Sequence, residues 1–157
     1  MSLSVEVLDI AKDRGAMIAT AESCTGGMVA AALTDIPGSS AVVDRGYVTY
    51  TNAAKSEMLG VSDATLKTYG AVSEEVAAEM AAGALDRSHA QLAVSITGIA
   101  GPGGSEFKPE GRVCFGIADA NGTRTETVEF GALGRDKVRA AARDHALTML
   151  RNALQTL

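Results

Sequence analysis

The run Gln91–Thr97 (QLAVSIT) passes directly into Gly98-Ile99-Ala100-Gly101-Pro102-Gly103-Gly104, with four glycines and one proline in seven residues. A short, almost unbroken apolar run reads as a strand covered on both faces, and the glycine-dense stretch as a loop at its carboxyl end. A strand covered on both faces needs helices above and below it, so the rest of the chain has to supply two helical layers.

The remaining segments meet that demand by alternation. Val5, Leu8 and Lys12 follow a helical spacing with Ser4 as N-cap and Gly15 as stop. Met17-Ile18-Ala19 reads as a buried strand, and Gly26 to Leu33 as a helix ended by Pro37-Gly38. Ala41 to Thr51 is rich in Val, Tyr and Thr and reads as a strand. Asn52 to Leu59 is then a short helix stopped by Gly60, and Ser62-Asp63 opens another. Ser73 caps a long helix whose first turn carries Glu74 and Glu75, where negative charge suits the helix dipole. Asn121-Gly122 between Gly111–Ala118 and Thr123–Phe130 marks a hairpin. Gly134 to Leu154 is the last helix, with Val138, Ala142, Ala146, Leu150 and Leu154 at steps of four. The expected fold is one α/β domain over residues 1–157, a three-layer α/β/α sandwich around a mixed sheet of about five to six strands.

Composition narrows the function classes. Of 157 residues, 46% are hydrophobic and 21% charged, the profile of a globular chain. Fourteen Lys and Arg stand against 19 Asp and Glu, a net charge of −5. With no Trp, three Tyr and three Phe, neither a basic face nor a stacking platform for nucleic acid is expected. Cys24 and Cys114 fit neither a disulfide framework nor a metal-ligand spacing, and His89 and His145 join no cluster. No metal and no cofactor are therefore expected. No apolar run approaches the roughly 20 residues of a bilayer span. The opening MSLSVEVLDIAKDRG is interrupted by Glu6 and Asp9 and is no signal peptide, so a reduced, cytoplasmic protein is expected.

Three segments carry chemistry-bearing residues. Thr20-Ala21-Glu22-Ser23-Cys24-Thr25-Gly26-Gly27 links a strand end to a helix start, where open α/β sheets bind ligands and free N–H groups suit an anion. Ser23, Cys24 and Thr25 present three consecutive hydroxyl or thiol groups there; helix capping is the bland alternative for Ser23 and Thr25. The loop at 97–104 lacks both G-x-G-x-x-G and a P-loop lysine, yet its glycines suit a concave nest of N–H groups, with a mobile surface loop as the equal alternative. Tyr50-Thr51-Asn52-Ala53-Ala54-Lys55 places Tyr50 at a strand end and Lys55 near a helix start, where the dipole disfavours an ammonium and suits a general base; a solvated lysine on a short helix is the bland alternative. Ser105-Glu106-Phe107-Lys108 matches a bare S-x-x-K, but in a Gly/Pro-rich loop the match reads as chance. His89 and His145 read as structural or solvated.

AESCTGG at 21–27, Pro37-Gly38-Ser39-Ser40, YTNAAK at 50–55, GAVSEEV at 70–76, ITGIAGPGG at 96–104 and Lys108-Pro109-x-Gly111 together resemble the CinA C-terminal domain family over nearly the whole chain. That resemblance implies hydrolysis of the carboxamide of nicotinamide mononucleotide to nicotinic acid mononucleotide and ammonia, a step in pyridine nucleotide recycling. It implies Ser23 as nucleophile, Lys55 as base and Tyr50 as orienting or relay group. Substrate contacts are expected from Cys24, Thr25, Gly26 and Gly27 on one side of the site. On the other they are expected from Thr97, Gly98, Gly101, Gly103, Gly104 and Lys108, with Arg135 and Arg139 as less specific candidates for the phosphate. The chain departs from the family's pattern mildly at Thr51, and at Glu110 and Arg112, where the change bears on specificity rather than chemistry. A catalytically silent nucleotide-binding module and an amidase for another carboxamide are the alternatives. The expected partner is a small mononucleotide, with no nucleic acid or membrane, and a homodimer is the default assembly. For Lys55 to serve as base, Glu22 has to be turned away from it or paired elsewhere.

Overall fold

The computed structural model describes residues 2–157. Five strands form one sheet: β1 (Ile18–Glu22), β2 (Val43–Val48), β3 (Leu92–Gly98), β4 (Arg112–Asp119) and β5 (Gly122–Glu129). Their order across the sheet is β2-β1-β3-β4-β5. β1 lies parallel to both β2 and β3, with Ile18–Glu22 in register with Leu92–Ile96, while β3, β4 and β5 alternate in direction. The Asn121-Gly122 hairpin forms as expected, and the strand count is five.

Six α-helices cover the two faces: α1 (Leu3–Arg14), α2 (Met28–Thr34), α3 (Asn52–Leu59), α4 (Asp63–Tyr69), α5 (Glu74–Asp86) and α6 (Arg135–Gln155). α1, α2 and α6 pack on one another and on one face of the sheet. Their core joins Leu8, Leu33 and Leu150 to Ile18, Val94, Ile96 and Phe115. On the other face α5 lies across β3 and β4 and is backed by α3 and α4. There Met80 and Leu59 meet Ala19, Ala21 and Ala93. β3 is buried along its length because both layers close over it.

Local signals set most boundaries. Thr51 caps α3 by accepting from the Ala54 N–H at 3.1 Å, and Ser62 and Ser73 cap α4 and α5 in the same way. Several boundaries differ from expectation, and β1 runs on from the Met17–Ala19 stretch to Glu22. Ser2, not Ser4, caps α1, because Ser4 already lies inside the first turn with its side chain buried. The second strand is shorter than Ala41–Thr51, since Ser39–Ala41 close a 3-10 turn before it. α2 begins at Met28 rather than Gly26, because Gly26 (φ 59°) and Gly27 (φ 110°) turn the chain in left-handed conformations.

One close approach sets the position of α3. A Cβ at Gly83 of α5 would stand 2.0 Å from the Leu59 carbonyl oxygen, so only glycine lets the C-terminal end of α3 rest on α5.

Candidate active site

The carboxyl ends of the three parallel strands converge on one edge of the molecule, the usual location of a site in an open α/β sheet. β1 delivers Ser23, β2 leads to Tyr50 and on into α3 with Lys55, and β3 leads into the glycine loop. Together they line a cleft of about 370 Å³.

Lys55 Nζ lies 3.1 Å from Ser23 Oγ and donates to the Tyr50 carbonyl at 3.2 Å. The lysine is 1% exposed, and no ion pair reaches it among the described residues. Burial lowers its pKa below the ordinary lysine value, with Cys24 and Glu106 acting weakly in the opposite sense. A buried amine beside a hydroxyl is the arrangement of a nucleophile and its general base.

Glu22 is also buried, yet it is turned to α2. Its Oε1 accepts from the Thr25 hydroxyl at 2.6 Å and the Val29 N–H at 2.9 Å, and its Oε2 from the Ala30 N–H at 3.0 Å. The carboxylate thus satisfies the N-terminal donors of α2 that Gly27, lacking a side chain, cannot cap. The pairing of Glu22 away from Lys55 is as expected.

Next to Ser23, burial pushes the Cys24 thiol up to about 11. It is a protonated thiol at neutral pH and a weak rival to the serine. The Ser23 N–H is spent on the Ile96 carbonyl and the Gly26 N–H on the Ser23 carbonyl. The Cys24, Thr25 and Gly27 N–H groups have no partner among the described residues, and of these three residues Cys24 alone lines the cleft, which makes its N–H the candidate donor for an oxyanion.

Of the expected site residues, Ser23, Cys24, Tyr50, Lys55, Thr97, Gly98, Gly101, Gly103 and Gly104 line the cleft. Thr25, Gly26, Gly27 and Lys108 do not. Thr25 is fully buried with its hydroxyl on Glu22, and Gly26 and Gly27 form the turn into α2. Lys108 donates to the Tyr69 and Val72 carbonyls, both at 2.6 Å, and so pins the turn before α5. Its backbone closes a tight turn with Ser105, which leaves no Ser–Lys pair there. Tyr50 is 57% exposed and its phenol accepts from Arg135 at 2.8 Å, so the relay contact to Ser23 expected of it is not formed; the Tyr50 carbonyl touches Lys55 instead.

Arg135 lines the cleft and also donates to the Gly101 carbonyl at 2.8 Å. Arg139 stands behind the nucleophile turn, donating to the Cys24 and Thr25 carbonyls at 3.0 and 3.3 Å. Asn52 and Glu106 line the cleft without having been singled out. Asn52 stands in the YTNAAK stretch as the first residue of α3, and Glu106 lies in the Ser105–Lys108 turn with φ 53°. His145 packs on Phe115 with ring centroids 4.5 Å apart, and His89 lies before β3; neither reaches the cleft.

The sequence pattern of the CinA C-terminal domain matches residues 1–154. The chain belongs to the CinA C-terminal domain family. It is 54% identical over 151 residues to the nicotinamide-nucleotide amidohydrolase PncC of Escherichia coli (strain K12), covering 96% of this chain and 92% of that one. It is 51% identical over 163 residues to a CinA-like protein of Chlorobium phaeobacteroides (strain BS1). That match covers 99% of this chain but only 38% of the relative, so the family's domain also occurs within longer proteins. The crystal structure of the competence/damage inducible protein CihA from Agrobacterium tumefaciens superposes with a TM-score of 0.93 at 52% identity, covering 98% of this chain and 93% of that one. A CinA-superfamily protein from Klebsiella pneumoniae superposes at 0.94 with 36% identity, over 99% and 97%. The fold is thus that of the CinA family.

Proposed function

We propose that this chain hydrolyses the carboxamide of nicotinamide mononucleotide, yielding nicotinic acid mononucleotide and ammonia, with Ser23 as nucleophile and Lys55 as base. The observation that carries the chemistry is the buried Lys55–Ser23 pair at 3.1 Å. The substrate class is supported by the 54% identity to a nicotinamide-nucleotide amidohydrolase across nearly the full length of both chains.

An amide is a poor electrophile, so the serine has to be deprotonated as it attacks and the developing oxyanion has to be met by a donor. Neutral Lys55 takes the Ser23 proton as the Oγ–C bond forms, and the Cys24 N–H faces the carbonyl oxygen. The resulting ammonium then gives that proton to the leaving nitrogen as the C–N bond breaks, releasing ammonia. Water, deprotonated by Lys55, attacks the acyl-enzyme; the Oγ–C bond breaks and Ser23 recovers its proton. The Tyr50 carbonyl holds Lys55 in line, while its phenol, steered by Arg135, stands on the rim where substrate enters. Arg135 is the guanidinium of the cleft and meets the phosphate. The two unpaired cysteines suit a reducing cytoplasm, and symmetric pairing of two copies is the expected assembly.

The test is incubation of the purified chain with nicotinamide mononucleotide, reading ammonia and the acid product by chromatography, beside nicotinamide and a simple aliphatic amide. Ammonia from the mononucleotide, lost in Ser23→Ala, is the expected result. A chain that binds the mononucleotide without releasing ammonia is a binding module, and the proposal fails.

A further inference from the structure

The glycine loop of the cleft is held between two opposite charges. On one side Arg135 donates to the Gly101 carbonyl at 2.8 Å. On the other, the half-buried Glu110 carboxylate accepts from the Gly103 N–H. It also lies against Gly101 so closely that a Cβ there would meet Glu110 Cδ and Oε1 at 2.6 Å. Gly101 and Gly103 both line the cleft. Among the described residues no cation pairs with Glu110, whereas Arg112, two residues on, is tied to Glu129 at 2.5 Å.

The geometry points to Glu110 as a specificity-determining residue that weakens the hold of this cleft on a phosphate. The inference rests on the proposed activity, in which the phosphate lies toward Arg135. Glu110 acts in two ways. It claims a loop N–H that would otherwise be open to an anion. It also sets an unneutralised negative charge against Gly101, the glycine whose carbonyl anchors the arginine, opposing a phosphate dianion. The cleft therefore separates the mononucleotide from its dephosphorylated riboside less sharply than its arginine alone would allow.

The test compares KM for nicotinamide mononucleotide and for nicotinamide riboside in the wild type, Glu110→Gln and Glu110→Ala at low ionic strength; where the riboside is not turned over, its inhibition constant is used. Glu110→Gln keeps the acceptor and removes the charge, while Glu110→Ala removes both. The expected result is a mononucleotide KM lowered about three- to tenfold by Glu110→Gln, at least as much by Glu110→Ala, with the riboside constant unchanged within about twofold. The effect of Glu110→Gln should shrink as salt is raised toward 0.5 M, because screening removes the charge contribution. Parallel shifts for both compounds mean that the substitutions merely disturb the loop, and an unchanged mononucleotide KM means that Glu110 does not sense the phosphate; either overturns the inference. If the wild type releases no ammonia from the mononucleotide, the proposed activity fails separately. Calorimetric binding of inorganic phosphate then decides the role of Glu110: tighter in Glu110→Gln supports it, unchanged refutes it.

Discussion

Lys55 Nζ stands 3.1 Å from Ser23 Oγ on a lysine that is 1% exposed, while the nearby carboxylate of Glu22 is spent on the first turn of α2. The amine is thus lowered by burial with no carboxylate paired to it. Removing the base as Lys55→Met should cut turnover about 100- to 10,000-fold, and Lys55→Arg should be equally inactive because a guanidinium does not deprotonate. In the wild type the rate should climb with pH along a limb centred below the ordinary lysine value. An arginine variant with near-normal turnover would show that the residue is only an electrostatic anchor.

The same burial has a stability consequence of definite sign. Because the folded-state pKa of Lys55 is lowered, the unfolded chain binds more protons between that lowered value and 10.5. Lys55 therefore makes the fold more stable as pH rises through that window, and below it the cost of burying an ammonium is felt in full. Lys55→Met should be more stable than wild type at pH 7, with the advantage narrowing toward pH 10. Denaturant titrations at several pH values measure this; a variant less stable at pH 7 contradicts it.

Cys24, at about 11, should be a bystander. At pH 8 only about one molecule in a thousand carries the thiolate. Cys24→Ala should keep most activity, and iodoacetamide should inactivate slowly. Rapid alkylation with loss of turnover would transfer the nucleophile role to the cysteine.

Glu22 supports the nucleophile turn from beneath. Glu22→Ala strands the Thr25 hydroxyl and the Val29 and Ala30 N–H groups, and should cost about 2–4 kcal/mol of stability. Thermal unfolding reads the loss, and a variant as stable as wild type would mean that water replaces the carboxylate without penalty.

Gly83→Ala should also destabilise, by about 1–3 kcal/mol, since its Cβ would stand 2.0 Å from the Leu59 carbonyl. Relief requires α3 to lift from α5, and α3 carries Lys55. Activity should therefore fall in the fraction that remains folded, and full specific activity would show that the strain is absorbed elsewhere.

Much of this protein was determined by local sequence. Thr51 and Gly60 bound α3, Ser73 starts α5, Asn121-Gly122 turns the hairpin, and the apolar run before the glycine loop becomes the central strand. Caps and turns act over three or four residues, and burial on both faces marks a strand by its own composition, so these elements are legible without neighbours. The Ser23, Tyr50 and Lys55 segments were recognised by motif, and their meeting follows from parallel strands ending on one edge. What only the tertiary structure decided is where long polar side chains point. Lys108 looks like a phosphate ligand in sequence, yet two carbonyls near residue 70 take its donors. The Tyr50 phenol is drawn to Arg135, 85 positions away, and Glu110 reaches Gly103 across the loop. A flexible polar chain takes the partner that folding brings within reach, and that partner is set by packing between distant elements rather than by adjacent residues.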